Sequence, residues 1–210
     1  DLNEMSRIKI NNVIIEASSH GLKQKRLDFL KIKAGIFTNL SRDHLDYHQN
    51  MNNYLNSKLI LFNKLLKKES YIITDTDIKE YKILKKIKNK RKLKIYSIGS
   101  KSNIIKILKH KIHENFQILE VSYKRRIFKL KINLYGSIQI KNLLMAVLAS
   151  KICGLKIEEI FKNISMIKSV EGRLELIKIL PNKTKIFLDY AHTPAALENA
   201  FLSLKEHFNG

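Results

Sequence analysis

The chain has 210 residues, with 40 Lys and Arg against 19 Asp and Glu and a formal charge of +21. Its single cysteine, Cys153, excludes a disulfide framework and suits a reducing cytoplasm. No apolar run nears the ~18 residues that span a bilayer, so neither membrane insertion nor a signal peptide is expected. The charge alone would suit nucleic acid or an anionic membrane. Yet the lysines run the whole length with few aromatics among them, and no zinc-finger, RNP or helix-turn-helix signature occurs. No specific nucleic-acid role is expected, only nonspecific adhesion at low salt.

Taken in order, Val13–Ala17 reads as a strand with Glu16 at its carboxyl end, followed by Ser18-Ser19-His20-Gly21. Gly35–Leu40 reads as a second, parallel strand. It runs into the dense polar stretch Thr38-Asn39-Leu40-Ser41-Arg42-Asp43-His44-Leu45-Asp46-Tyr47-His48. Polar clusters at the carboxyl ends of parallel strands share one ligand crevice. A carboxylate and an imidazole there suit a hard cation bound to phosphate oxygens. Other readings stay open: Glu16 as a helix cap, Thr38–His48 as a solvated loop, and His20, His44 and His48 as a zinc site.

Met51–Lys67 reads as a helix with the apolar stripe Met51, Tyr54, Leu55, Phe62, Leu65 and Leu66. Lys58 falls near the middle of that stripe. Burial of an ammonium is expensive and lowers its pKa, which exposes a neutral, reactive amine. The alternative is a lysine that snorkels to the surface.

Tyr71–Thr74 is the next strand, Ile78–Ile87 a lysine-faced helix, and Leu93–Ile98 a strand ending at Gly99. The alternation predicts an α/β fold with a doubly wound, mostly parallel sheet. Phe116–Tyr123 and Ile127–Leu134 alternate around Lys124-Arg125-Arg126, a small antiparallel hairpin subdomain on one edge. Helices follow at Gln139–Cys153 and Ile157–Ile167. Leu174–Leu180 and Lys185–Leu188 pair around Pro181-Asn182-Lys183. Thr193 then caps a helix that starts at Pro194, with Leu197, Phe201, Leu204 and Phe208 facing inward. One domain boundary is expected near Glu171-Gly172-Arg173, dividing residues 1–171 from the start of a second α/β domain at 172–210.

Several of these motifs together resemble the Mur ligases. They are Glu16-Ala17-Ser18-Ser19-His20-Gly21-Leu22 with Gln24 and Arg26, then Thr38–His48, Lys58, Glu171-Gly172-Arg173-Leu174-Glu175 and Asp189-Tyr190-Ala191-His192-Thr193-Pro194. The resemblance implies ATP-dependent amide-bond synthesis through an acyl phosphate. Mg2+ would be the cofactor, with a UDP-N-acetylmuramoyl dipeptide and an amino acid as substrates of a monomeric, cytoplasmic enzyme. It implies that Lys58 is carbamylated and sits with Glu16 and His44 around the metal and the γ-phosphate. Ser18, Gln24 and Arg26 would hold the UDP-sugar peptide, while Asn142, Arg173 and Asp189 would contact ATP. The family's GTNGKT phosphate loop and its Asp-Asn-Pro-Arg-type selector have no counterpart here, so an internal piece of a longer ligase is expected. Folylpolyglutamate or cyanophycin synthetases, or a non-catalytic remnant, are the alternatives within this resemblance.

Overall fold

Six strands form one mixed sheet in chain order, in a computed structural model that describes residues 2–208. Asp1 and Gly210, the outer bounds of the two expected domains, lie outside the described residues. The parallel part consists of β1 (Ala34–Phe37), β2 (Tyr71–Asp75) and β3 (Lys94–Gly99). These short apolar runs are strands because both faces of the sheet are covered: Ile72, Ile73 and Ile98 are fully buried.

α1 (Leu2–Arg7) and α2 (Ser19–Lys23) precede β1 in sequence, and α3 (Leu45–His48) and α4 (Met51–Ile60) link it to β2; α2 and α4 cover one face. Leu22 of α2 and Leu59 of α4 join Phe62, Ile72 and Leu84 in one core. Leu84 comes from α5 (Tyr81–Arg91), the crossover from β2 to β3. The other face is covered by α6 (Ser137–Ile152), whose Leu144 and Leu148 pack with Ile73 and Ile98. Helices on both faces make the expected doubly wound arrangement.

The sheet continues into β4 (Ile105–Ile112), which runs parallel to β3 through two residue pairs only. It then becomes antiparallel with β5 (Gln117–Tyr123) and β6 (Arg126–Ile132). The expected hairpin is therefore part of a three-stranded extension. Lys124 and Arg125 both take left-handed φ, at 50° and 63°, which gives the hairpin turn a twist that matches its strands. Beyond α6 come α7 (Ile157–Asn163) and a 3-10 turn, Ile164–Met166, within the expected Ile157–Ile167 helix.

Several expectations need correction. Val13–Ala17 is not a strand: among the described residues its backbone joins no ladder, and Ile14 is 89% exposed. An apolar run becomes a strand only where a ladder satisfies its backbone, and the outer edge of β1 does not take this segment. Regular helix stops at Ile60 rather than Lys67. The chain widens into a π turn over Leu61–Leu65, with Leu66 N–H donating to Leu61 O at 3.0 Å. The helix expected from Ile78 starts at Tyr81 and continues to Arg91.

The C-terminal part holds a separate antiparallel pair, β7 (Glu175–Ile179) with β8 (Lys185–Leu188), and α8 (Pro194–Lys205). Thr193 Oγ1 accepts from Ala196 N–H at 3.3 Å and Pro194 takes the first turn, as expected. The inward face holds in part: Leu204 and Phe208 are half-buried, with the Phe208 ring 5.9 Å from Phe187, but Leu197 and Phe201 are exposed, and Ser203 and His207 are buried. Polar geometry sets this rotation: His207 Nε2 accepts from Gly136 N–H at 3.0 Å, and Nδ1–H donates to His113 O at 2.7 Å. Ser203 presses so close that a Cβ on Gly136, whose φ is +80°, would lie 2.9 Å from it.

An amide must donate and a carbonyl must accept, so the His207 ring is neutral and protonated on Nδ1. Burial pushes its pKa below the ordinary histidine value. The unfolded ring charges near its ordinary ~6.5 while the docked ring resists, so unfolding takes up a proton. The stabilisation is complete above about pH 6.5 and is lost as pH falls through the lower folded value. Between pH 7 and pH 5 the Tm of the wild-type chain should fall more steeply than that of His207→Phe. Identical slopes would show that this ring carries no such linkage.

Candidate active site

The dense polar stretch leaves the carboxyl end of β1 and folds back over α4. His44 is left-handed, with φ at 54°, and opens the single turn α3. Asp43 fixes that bend: its Oδ1 accepts from His44 N–H at 2.8 Å, and its Oδ2 lies 3.5 Å from His44 Nε2. Rings then pack in succession. His20 meets His44 at 4.9 Å and Tyr47 at 4.1 Å between centroids, and His44 lies 5.9 Å from Tyr54.

Lys58 is half-buried on α4, with Nζ 5.0 Å from the Tyr54 ring centroid. Burial pushes its pKa below the ordinary lysine value, while the negative charges of Asp43 and Glu16 pull the other way. The expected desolvated lysine is present, but at the edge of the buried face, where Tyr54, Ser57 and Leu59 are the covered residues. Glu16, Asp43, His44 and Lys58 thus share one neighbourhood. Two carboxylates and an imidazole beside a partly desolvated amine are donors of the kind a hard divalent cation with water and phosphate ligands takes, but among the described residues they are not gathered into a three-ligand cage.

The geometry excludes two of the open alternatives. Ser18, not Glu16, caps α2: its Oγ accepts from Gly21 N–H at 3.1 Å. The zinc reading fails because both ring nitrogens of His48 face hydroxyls, Ser19 Oγ at 2.9 Å and Ser57 Oγ at 3.3 Å. Among the described residues no group of three or more His, Cys, Asp or Glu side chains is placed to hold a metal ion.

Ser18, Gln24 and Arg26 lie around the single turn of α2. Gln24 Nε2 reaches Tyr47 Oη at 3.5 Å, and Arg26 is exposed. Asn142, on α6, lines a cavity of about 210 Å³ with Ile36, Thr38, Asn39, Met145 and Ala146. Arg173 and Asp189 are not among its lining residues. The Arg173 guanidinium stands 5.5 Å from the Tyr190 ring, and Asp189 accepts from Leu174 and Ala191 N–H at 2.8 and 2.9 Å.

Two residues of this region escaped the sequence reading. Asp75 ends β2 fully buried, with Oδ2 2.7 Å from Lys141 Nζ. The rule that singled out Glu16, a carboxylate closing an apolar strand, applies better to Asp75. His48 is the other: read in the sequence only as a candidate zinc ligand, it is 1% exposed inside the polar stretch, and its buried bonding role was not foreseen.

A sequence profile of the Mur ligase middle domain matches residues 1–150. The chain belongs to the Mur ligase family. The matched region takes in the whole six-stranded sheet and α6 as far as Ser150. The UDP-N-acetylmuramoyl-L-alanyl-D-glutamate--2,6-diaminopimelate ligase of Zymomonas mobilis subsp. mobilis is 35% identical over 207 residues, 99% of this chain and 43% of that protein. The chain thus spans about two fifths of the length of that curated relative. A solved diaminopimelate ligase of the same name superposes with a TM-score of 0.74 at 28% identity, over 91% of this chain and 39% of its own. MurF of Thermotoga maritima, solved in complex with ADP, has a TM-score of 0.71 at 16% identity, over 86% of this chain and 41% of its own. That likeness concerns the fold.

Proposed function

We propose that this chain supplies the nucleotide-binding middle domain, residues 1–171, and the start of the next domain, 172–210, of a Mur ligase. The enzyme would add diaminopimelate to UDP-N-acetylmuramoyl-L-alanyl-D-glutamate in the cytoplasm, acting as a monomer. The observation that carries this reading is the Lys58 amine, desolvated yet flanked by Asp43 and Glu16 beside His44. It sits in a chain whose relatives carry that name over nearly its whole length.

The chemistry follows from charge. The carboxylate of the dipeptide attacks the γ-phosphorus of ATP, a P–O bond forms as the bond to ADP breaks, and an acyl phosphate results. The incoming neutral amine attacks the acyl carbon, phosphate leaves with the electron pair, and the amine loses a proton. Glu16, His44 and Lys58 would hold Mg2+, which supplies the positive charge that lets a carboxylate approach a triphosphate. Lys58 can serve an oxygen-loving cation only as a carbamate. Its neutral amine attacks CO2, forms an N–C bond and releases a proton, and a lowered pKa favours this step. Asn142 and the cavity at the end of β1 would receive the nucleotide, with Arg173 and Asp189 reaching it from the second domain on closure. Ser18, Gln24 and Arg26 would hold the UDP-sugar peptide.

The test is product formation by the longer protein that carries this segment, from UDP-muramoyl dipeptide, Mg-ATP and either diaminopimelate or lysine. Product with diaminopimelate alone supports the reading, and none with either amino acid sinks it. Arg26→Lys refines the substrate assignment, because a planar guanidinium makes a two-pronged contact with carboxylate or phosphate that an ammonium does not. The KM for the UDP-sugar peptide should rise about tenfold, the effect of losing roughly one charge-assisted hydrogen bond. The KM for ATP should stay unchanged, and equal effects on both would remove Arg26 from that role.

A further inference from the structure

We infer that His48 is a positioning residue that ties the two halves of the site together, joining α2 to α4 through Ser19 and Ser57. Its catalytic consequence rests on the ligase reading above; its geometry does not. Each hydroxyl it meets is the chain neighbour of a candidate residue: Ser19 follows Ser18, and Ser57 precedes Lys58. His48 N–H also donates to His44 O at 3.0 Å, so the same residue closes the turn that presents His44.

Proton bookkeeping fixes the direction of each bond. Ser57 Oγ lies 2.8 Å from Asn53 O, and a carbonyl can only accept, so the one hydroxyl proton of Ser57 is committed there. The 3.3 Å contact must then be His48 Nδ1–H donating to Ser57 Oγ. Nε2 is left bare and accepts from the Ser19 hydroxyl at 2.9 Å. The ring is stacked on Tyr54, 5.2 Å between centroids at 25°, and edged by Tyr47 and His20. Burial and the nearby His20, Lys23 and His44 disfavour a charge on it, against Asp46.

This clamp matters because a five-residue helix cannot hold itself in water, and residues 11–17 pair with no strand among the described residues. Besides the His20 ring contacts and the 3.5 Å Gln24–Tyr47 contact, the His48 bonds are the buried polar tie between α2 and α4. Leu22 anchors the turn in the core, but apolar packing is not directional. The two polar bonds of His48 set how Ser18 and Lys58 face one another.

Two measurements decide it. A long-range proton–nitrogen spectrum of the 15N-labelled 210-residue chain should show His48 protonated on Nδ1 and bare on Nε2, with that pattern lost in Ser57→Ala. An Nε2-protonated or averaged ring in the wild type overturns the clamp. In the longer ligase, His48→Phe keeps the stack and loses both bonds. It should lower kcat about tenfold or more and raise the KM for the UDP-sugar dipeptide severalfold, with the KM for ATP unchanged. Ser57→Ala, the milder lesion, should move the same constants in the same direction. A loss of kcat alone, both KM values intact, would mean that His48 only supports the fold and overturns the positioning role, as would unchanged kinetics. A wild-type ligase that makes no product refutes the ligase reading instead, and the tautomer then judges the clamp by itself.

Discussion

Lys58→Ala in the ligase that carries this segment is expected to lower turnover by roughly a thousandfold, the scale of losing a preorganised charge at the reacting centre, while the fold persists. Alanine is the best helix former, and Lys58 is half-buried at the edge of α4, so little packing is lost. What disappears is the amine itself, the one group on that helix able to become a carboxylate equivalent beside Glu16 and Asp43. Lys58→Arg should fail as completely, because guanidinium stays protonated and forms no carbamate. Steady-state rates with 13C-bicarbonate spectra of the wild type check both points. Near wild-type turnover in either variant would falsify the assignment.

The parts legible in the sequence were those where burial on both faces decides structure. Tyr71–Thr74 and Leu93–Ile98 read as strands because the sheet buries Ile72, Ile73 and Ile98 completely, leaving continuous apolar runs. Lys58 stood out because a charge on an apolar stripe breaks a pattern. What failed depended on partners that a pattern does not name. Val13–Ala17 is apolar enough for a strand but has no ladder beside it. β4 escaped because a register shift between Ile107 and Lys109 spoils its alternation and its outer face is lysine-rich. The face of α8 was legible only at its C-terminal end, Leu204 and Phe208; Leu197 and Phe201 turn outward because His207 bonds help orient the helix. His48 was one of several polar residues in a crowded stretch, and only the rings stacked around it distinguish it.

Lys141→Met should destabilise the 210-residue chain more than any of the substitutions above. The Asp75 side chain is 1% exposed, and its Oδ1 already accepts from Asp77 N–H at 2.9 Å. Among the described residues no well-aligned hydrogen bond reaches Oδ2, so the charge of the Lys141 ammonium, 2.7 Å away, is what offsets it. The pocket cannot open on the β3 side, where even a Cβ on Gly99 would come within 2.5 Å of Oδ1. Removing the ammonium strands a buried carboxylate, at a cost of about 3 kcal/mol. For a chain of this size that corresponds to a Tm lower by roughly 6–12 °C. The reverse lesion is mild: in Asp75→Asn the Lys141 head, with a side chain already 41% exposed, can turn into water. The double variant Asp75→Asn/Lys141→Met leaves no charge behind and should melt above Lys141→Met, a coupling that a double-mutant cycle reads directly. If the single lysine variant is as stable as the double, the pair is not holding α6 against the end of β2. Because Lys141 precedes Asn142, the same lesion in the ligase should also loosen the wall of the cavity proposed for the nucleotide and raise the KM for ATP.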